Sequence, residues 1–185
     1  GLGLDWSHTR LSLFDVSNFS NPQLTQALSL SPVDDPDNGW SWAYSEATWE
    51  HKAFQYWAPK GMLAIPMNTY KYDYYYDDSG KYHYDYDYVS KLMIVNVTEE
   101  GLEVHGEVDH SEFYESEDNR WWNSYNIRRS IFMGDYIYAI SHGGITVTHL
   151  DSLDQSDSHQ FEYVHHYDEE IESDDGEDAV VESSK

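Results

Sequence analysis

Two acidic turns of the sequence carry residue types that bind a hard metal ion. The first turn, at residues 31–39, holds four such residues: Asp34, Asp35, Asp37 and Asn38. Calcium takes roughly six to eight oxygen ligands in a flexible geometry. The pattern is not that of an EF-hand, because Pro36 stands where a ligand is expected. We therefore expect a calcium site in this loop, with a plain solvated acidic loop as the alternative.

The second acidic turn contains Asp77 and Asp78. The nearby Asp73, Asp85 and Asp87, or the carboxylates of the C-terminal tail, could also bind calcium. Histidine offers a weaker metal signal, since no His-Glu-x-x-His spacing occurs. Serine catalysis is equally weakly supported, because the sequence has no Gly-x-Ser-x-Gly elbow.

A group of charged residues predicts a structural network. Glu46 and His51 lie close in sequence, and Arg128 and Arg129 are adjacent further along the chain. A carboxylate, an imidazole and a guanidinium can form ion pairs between neighbouring sheets. We expect such a network in preference to a catalytic or metal site at Glu46 and His51.

The stretch Tyr70–Tyr88 contains nine tyrosines around the turn Asp77-Asp78-Ser79-Gly80 and predicts a long hairpin. Alternation along a strand places one set of tyrosines on a common face. That set includes Tyr72, Tyr74, Tyr76, Tyr84 and Tyr86. Such a ribbon can dock another subunit or stack on a sugar, and with Trp40 and Trp42 it suggests a carbohydrate-binding module. The alternative is a hairpin folded back on its own domain.

The charge of the chain restricts its partners. The 185 residues carry a formal net charge of −25. This field repels nucleic acid and anionic membranes and favours cations or cationic partners. Solubility in salt water is the simpler explanation of the acidity. No apolar run approaches the roughly 20 residues of a membrane span, and the absence of cysteine excludes disulfides and thiolate metal sites.

The candidate residues need a scaffold, whose clearest part is Tyr125–Leu153. Three short strands are predicted there: Ile127–Met133, Tyr136–Ser141 and Ile145–Asp151. Glycine turns separate them, as in tight antiparallel hairpins. Apolar side chains alternate onto both faces of the middle strand. A meander that is apolar on both faces must be covered on both, so we expect small sheets stacked face to face.

The same pattern recurs along the chain. Further strands are predicted at Thr9–Ser17, Leu24–Leu30, Lys52–Trp57, Gly61–Met67, Lys91–Thr98 and Leu102–His110. Four-stranded meanders repeated at roughly 40–60 residues are typical of β-propeller blades. The predicted fold class is all-β, with about two and a half four-stranded antiparallel meanders as propeller blades. A closed ring typically needs at least four blades, so these belong to a larger or assembled propeller.

Four segments carry a family resemblance: Leu11–Pro22, Tyr44–Phe54, Met62–Met67 and Ile127–Leu153. On these segments the sequence resembles the secreted proteins with a C-terminal β-propeller domain, distant relatives of WD-repeat propellers. The resemblance covers most of Leu11–Asp154. It implies a propeller fold, export from the cell and no established reaction. The earlier blades of the family are missing here, and the tyrosine hairpin and an acidic tail are additions.

The predicted organisation is therefore propeller blades over residues 1–167, with the hairpin 70–88 inserted, and an acidic tail over residues 168–185. The function we expect is a non-enzymatic binding and assembly scaffold, secreted or on the cell surface and stabilised by calcium. Its partners would be the remaining blades of the same protein, another chain or copies of itself. The alternatives are a metal-dependent hydrolase or oxidase with a His, Tyr and carboxylate site at the propeller mouth, or a carbohydrate-binding module.

Overall fold

Twelve strands account for most of the described chain. The computed structural model describes residues 2–5, 8–31, 39–113 and 126–162. The strands are β1 (Leu2–Asp5), β2 (His8–Asp15), β3 (Gln23–Ser29), β4 (Gly39–Tyr44), β5 (Gln55–Trp57), β6 (Met62–Tyr76), β7 (Tyr82–Val97), β8 (Leu102–Asp109), β9 (Arg129–Met133), β10 (Tyr136–Ile140), β11 (Gly144–His149) and β12 (Gln155–Gln160). Short 3-10 turns are the only helical elements in these ranges, and none of them could cross a membrane.

The strands form three antiparallel sheets in chain order. The first sheet has the order β1-β2-β3, and the third has the order β12-β11-β10-β9. The central sheet has the order β4-β6-β7-β8, and β5 pairs with β6 beyond the end of β4. Each sheet is thus built from segments that are neighbours in the sequence, and the first and third sheets are simple meanders.

The central sheet is buried on both faces because its side chains alternate between two cores. On one face Leu63, Ile65 and Val95 pack against the first sheet around Leu11. On the other face the packing is against the third sheet, and the buried members are Met62, Ala64, Leu92, Ile94, Val108, Ile127, Ile137, Ala139 and Leu150. The predicted face-to-face stacking is therefore present, and the all-β propeller architecture is confirmed.

The third sheet is covered on one face only within the described chain. Ile137 and Ala139 are fully buried against the central sheet. On the opposite face, 47% of Ile131 and 59% of Met133 are exposed. The expectation that this meander is covered on both faces therefore holds for one face, since the sheet stands at the end of the described stack.

The tyrosine hairpin is a continuation of the sheet rather than a separate insert. β6 and β7 run without interruption from the core into the hairpin, with Met62 opposite Asn96 at one end and Tyr76 opposite Tyr82 at the other. Strand β4 pairs along part of the same stretch. Because β6 and β7 stay paired from the core to the hairpin tip, the hairpin lies in line with the central sheet.

A bulge in β8 places one side chain in contact with the third sheet. The register shifts so that Ile94 pairs with Gly106 and Val95 with Val104, which leaves His105 as the extra residue. Its Nε2 lies 2.6 Å from the Leu150 carbonyl oxygen of the third sheet. Bulges commonly redirect a side chain in this way.

Candidate binding surface

Alternate residues of three neighbouring strands place aromatic rings on one face of the extended sheet. In the register, Trp42 pairs with Tyr70, and Tyr70 pairs with Tyr88. These three rings form one row across the strands. The next row, closer to the hairpin tip, consists of Trp40, Tyr72 and Tyr86. We call this surface, together with Trp49 from the 3-10 turn that follows β4, the aromatic strip; its members are Trp40, Trp42, Tyr44, Trp49, Tyr70, Tyr72, Tyr74, Tyr76, Tyr82, Tyr84, Tyr86 and Tyr88.

The rings of the strip contact one another across and along the strands. The centroids of Trp42 and Tyr70 are 5.5 Å apart, and those of Tyr70 and Tyr88 are 4.6 Å apart. Trp40 stacks on Tyr72 at 5.8 Å. Cross-strand aromatic pairs each contribute roughly 0.2–1 kcal/mol. The strip is therefore a rigid array, although its rings lie at the surface.

Much of the strip faces solvent. Half of Trp40 and 62% of Tyr84 are exposed, and Trp42, Trp49, Tyr82 and Tyr86 are exposed as well. Single exposed aromatic residues are ordinary, whereas a contiguous exposed apolar patch marks an interaction site. The alternative prediction, a hairpin folded back so that its rings are covered, does not describe this face.

Polar bonds fix the inner end of the strip to the segment that precedes β9. The Tyr88 hydroxyl donates to Asn126 Oδ1 and lies 3.2 Å from Asn68 Oδ1. Asn126 Nδ2 donates to the Tyr44 hydroxyl at 3.0 Å. These bonds connect the aromatic surface of the central sheet to the third sheet, and they hold the first row of rings in place.

The outer end of the strip contains a pair of interacting hydroxyl groups. Tyr72 and Tyr82 are hydrogen bonded to each other through their hydroxyls, and this bond raises the pKa of Tyr72 to about 12. The Tyr72 hydroxyl is therefore neutral at physiological pH. Within the described strands β6 and β7, the charged residues alternate onto the opposite face of the hairpin.

That opposite face and the hairpin tip carry the charges. Lys71 Nζ lies 2.6 Å from Asp73 Oδ2, and the ring of Tyr75 stacks on His83 at 5.0 Å. At the tip, Asp77 Oδ1 accepts hydrogen bonds from the Ser79 hydroxyl at 2.6 Å and from the Ser79 and Lys81 backbone N–H groups. Bonds to Ser79 and His83 lower the pKa of Asp77 to about 2.

These bonds bear on the predicted calcium ligands. Asp77 already serves to close the hairpin turn, and Asp78 is exposed beside it. The described ranges contain no group of three or more His, Cys, Asp or Glu arranged to hold a metal ion. The other predicted ligands, Asp34, Asp35, Asp37 and Asn38, lie outside the described residues, as does the acidic tail.

The predicted charged network forms around Glu46. Arg128 Nε and Nη2 both lie 3.0 Å from the buried Glu46 carboxylate, and Arg129 Nη1 lies 3.1 Å from it. The Glu46 carboxylate raises the pKa of Arg128. Arg129 also reaches Glu50 at 3.4 Å. Because Glu46 follows β4, Arg128 directly precedes β9 and Arg129 begins it, the network joins the central and third sheets beside the strip.

His51 lies at the edge of this network rather than in it. Its Nδ1 is 3.6 Å from Glu50, and 89% of its side chain is exposed. Glu50 takes the place that the sequence assigned to His51, because the 3-10 turn at His51–Ala53 directs the imidazole to solvent.

Sequence reasoning missed several parts of the site. Tyr44 and Trp49 extend the strip, with rings stacked at 6.0 Å. The alternation of Trp40, Trp42 and Tyr44 in GWSWAY was a sufficient signal for strand β4. No local sequence pattern indicated the role of Asn126, because its hydrogen-bond partner Tyr44 is 82 positions away in the chain.

A family described as Beta propeller domain matches residues 2–153 of this chain. No curated protein and no solved structure matches it.

Proposed function

Because the chain belongs to the Beta propeller domain family, we propose that it acts as a non-enzymatic binding and assembly scaffold outside the cell or on its surface. The observation that carries the proposal is the aromatic strip, an array of twelve rings of which seven are exposed, on an extension of a sheet buried on both faces. The extracellular location rests on the resemblance to secreted propeller proteins.

The chemistry of the strip suits binding. Tyrosine and tryptophan supply a large contact area at low conformational-entropy cost, because each has only two side-chain torsions. They combine an apolar body with a polar group that can hydrogen bond to a partner. In this chain the rings also brace one another and are bonded to Asn126 at one end. A partner therefore meets a surface that is already ordered.

Assembly is supported by the outer face of the third sheet. Ile131, Met133 and Tyr136 are exposed there in a position equivalent to the covered faces of the central sheet. A closed propeller typically needs at least four blades, and the described chain supplies three sheets. Further blades, from the same protein, another chain or a second copy, would cover this face.

Calcium is part of the proposal as a stabilising ion. Its support is the density of acidic side chains in the loop around Asp34 and Asp35 and at Asp78. Bound cations would also reduce the self-repulsion of a chain with a net charge of −25.

Sedimentation velocity with and without calcium tests the scaffold proposal. We expect a particle larger than the 21.6 kDa chain in calcium, and a smaller or less stable particle after chelation. Sodium chloride at matched ionic strength is the control, because it separates specific binding from screening. A monomer whose mass and stability ignore the chelator would contradict the proposal.

One further observation favours carbohydrate binding as a second candidate. Trp40 and Trp42 lie on the same face and each stacks on a tyrosine of β6, with ring planes inclined by 28° and 23°. Successive, nearly parallel rings can stack on the apolar faces of successive sugars. Titration with neutral oligosaccharides distinguishes this candidate from recognition of a protein.

A further inference from the structure

We propose that the aromatic strip binds a cationic, arginine-rich polypeptide segment in an extended conformation. The inference rests on the binding function proposed above and names the class of partner. It depends on the charge around the strip, the chemistry of its rings and the spacing of its rows.

The charge distribution favours a cation over other partners. The hairpin carries five aspartates, Asp73, Asp77, Asp78, Asp85 and Asp87, against only Lys71 and Lys81. The first lysine is engaged by Asp73. The whole chain adds a strongly negative field, which attracts cationic chains and repels nucleic acid. At physiological salt this attraction acts over about 8 Å.

The charges and the rings lie on opposite faces, and this separation favours arginine. In the described strands of the hairpin, a cation that approaches from the strip side does not meet Asp73, Asp85 or Asp87, because these alternate onto the other face. It meets instead the exposed ring faces of residues such as Trp40 and Tyr84. Guanidinium groups stack on aromatic rings and are more weakly hydrated than ammonium groups. Tyrosine hydroxyls add acceptors for the guanidinium N–H donors.

The spacing of the rows matches an extended peptide. Rows of the strip follow alternate residues of β6, such as Tyr70, Tyr72 and Tyr74. Alternate residues of a strand are roughly 6.6 Å apart. An extended partner repeats its side chains at the same distance, so arginines at every second position can lie over successive rows.

Fluorescence anisotropy of labelled peptides with the full chain tests the inference. The probe is a 12-residue peptide in which arginine and threonine alternate, and the charge-matched comparison replaces arginine with lysine. The double variant Trp40→Thr/Tyr84→Thr removes two exposed rings and keeps residues that favour strands. Tyr75→Thr is the matched control, because Tyr75 is 59% exposed on the opposite face of the same hairpin.

We expect the double variant to weaken binding of the arginine peptide at least tenfold and Tyr75→Thr to change it less than twofold. The lysine peptide should bind several-fold more weakly than the arginine peptide. The variant Trp40→Phe/Tyr84→Phe keeps both rings and should restore most of the affinity. Far-UV circular dichroism checks that each variant is folded. If the double variant does not fold, the single variant Tyr84→Thr replaces it in the binding comparison.

Three results would overturn the inference: no binding of the arginine peptide, equal binding of both cationic peptides, or equal losses in the strip and Tyr75 variants. A neutral proline-rich peptide and a cello-oligosaccharide are titrated in parallel. If either binds more tightly than the arginine peptide and depends on Trp40 and Tyr84, the cationic partner is wrong and the binding function stands. The sedimentation experiment tests the scaffold function independently.

Discussion

At the scale of single residues, the burial of His110 should make stability depend on pH. The side chain is fully buried against Phe113, and neither ring nitrogen has a hydrogen-bond partner among the described residues. Burial lowers the pKa of His110 to about 4, from 6.5 in the unfolded chain. The unfolded state therefore binds more protons between these values, and the free energy of unfolding falls as pH falls from 6.5 to 4.

We expect His110 to account for a loss of about 3 kcal/mol across this window. The variant His110→Leu should lack this part of the pH dependence and should be at least as stable at pH 7, because it removes two unpaired polar atoms. Urea unfolding at several pH values measures both effects. His51→Leu is the control, since His51 is exposed. A wild-type slope retained in His110→Leu would contradict the assignment.

Glu46 provides a second prediction at this scale. Glu46→Gln should reduce the free energy of unfolding by about 1–2 kcal/mol, because Arg128 and Arg129 lose their shared carboxylate while remaining partly solvated. A double-mutant cycle with Arg128→Gln should show a coupling of about 1 kcal/mol. Glu107→Gln, in an exposed pair with Lys91, should change stability by less than about 0.5 kcal/mol. If the losses in the free energy of unfolding at Glu46 and Arg128 are additive, the ion pair does not stabilise the fold.

The sequence predicted some of these residue contacts and not others. Alternation along a strand fixes which side chains share a face, so Tyr72 and Tyr84 could be placed on one face of the hairpin without coordinates. Charge alone indicated that Arg128 and Arg129 were the candidate ion-pair partners of Glu46. Whether His51 or Glu50 joins them depends on the direction of a single 3-10 turn, which composition does not determine.

At the scale of elements, the contact between Gly106 and Leu153 should limit how closely the third sheet approaches the central one. A Cβ atom on Gly106 would overlap Leu153 Cδ1. We expect Gly106→Ala to lower the free energy of unfolding by about 1–3 kcal/mol, the usual cost of overpacking. Leu153→Ala removes the overlapping atoms, so the double variant should lose less stability than the two single losses together. Fully additive losses, measured by urea unfolding, would show that the two residues do not meet.

Element boundaries were predictable where turn chemistry was strong. Glycine turns separated β9, β10 and β11 in the sequence, and Gly61, with a φ of 60°, ends the turn before β6. Strand β4 was missed although its alternation is clear, because Trp40 and Trp42 were considered only as candidate carbohydrate-binding residues. The continuity of β6 through the hairpin was also missed, since no residue marks the point at which the core ends.

At the scale of the whole molecule, the central and third sheets differ in how many of their faces are covered within the described residues. The central sheet shows what a covered blade requires: apolar side chains on both faces. The third sheet also carries apolar side chains on both faces, but one of these faces is exposed in the described structure. Sequence periodicity predicts apolar side chains on both faces of this meander, but it does not specify which surface packs against the open face.

The last prediction concerns that open face. Ile131→Glu places a charge where a further blade would pack, and we expect it to shift the assembled particle towards the 21.6 kDa chain without unfolding it, because Ile131 is already 47% exposed. Phe19→Glu is the matched control, since Phe19 is 86% exposed in the turn between β2 and β3. Sedimentation velocity measures the mass of each variant. If the Ile131 and Phe19 variants assemble equally well, the outer face of the third sheet is not an interface, and any ring must close through other surfaces.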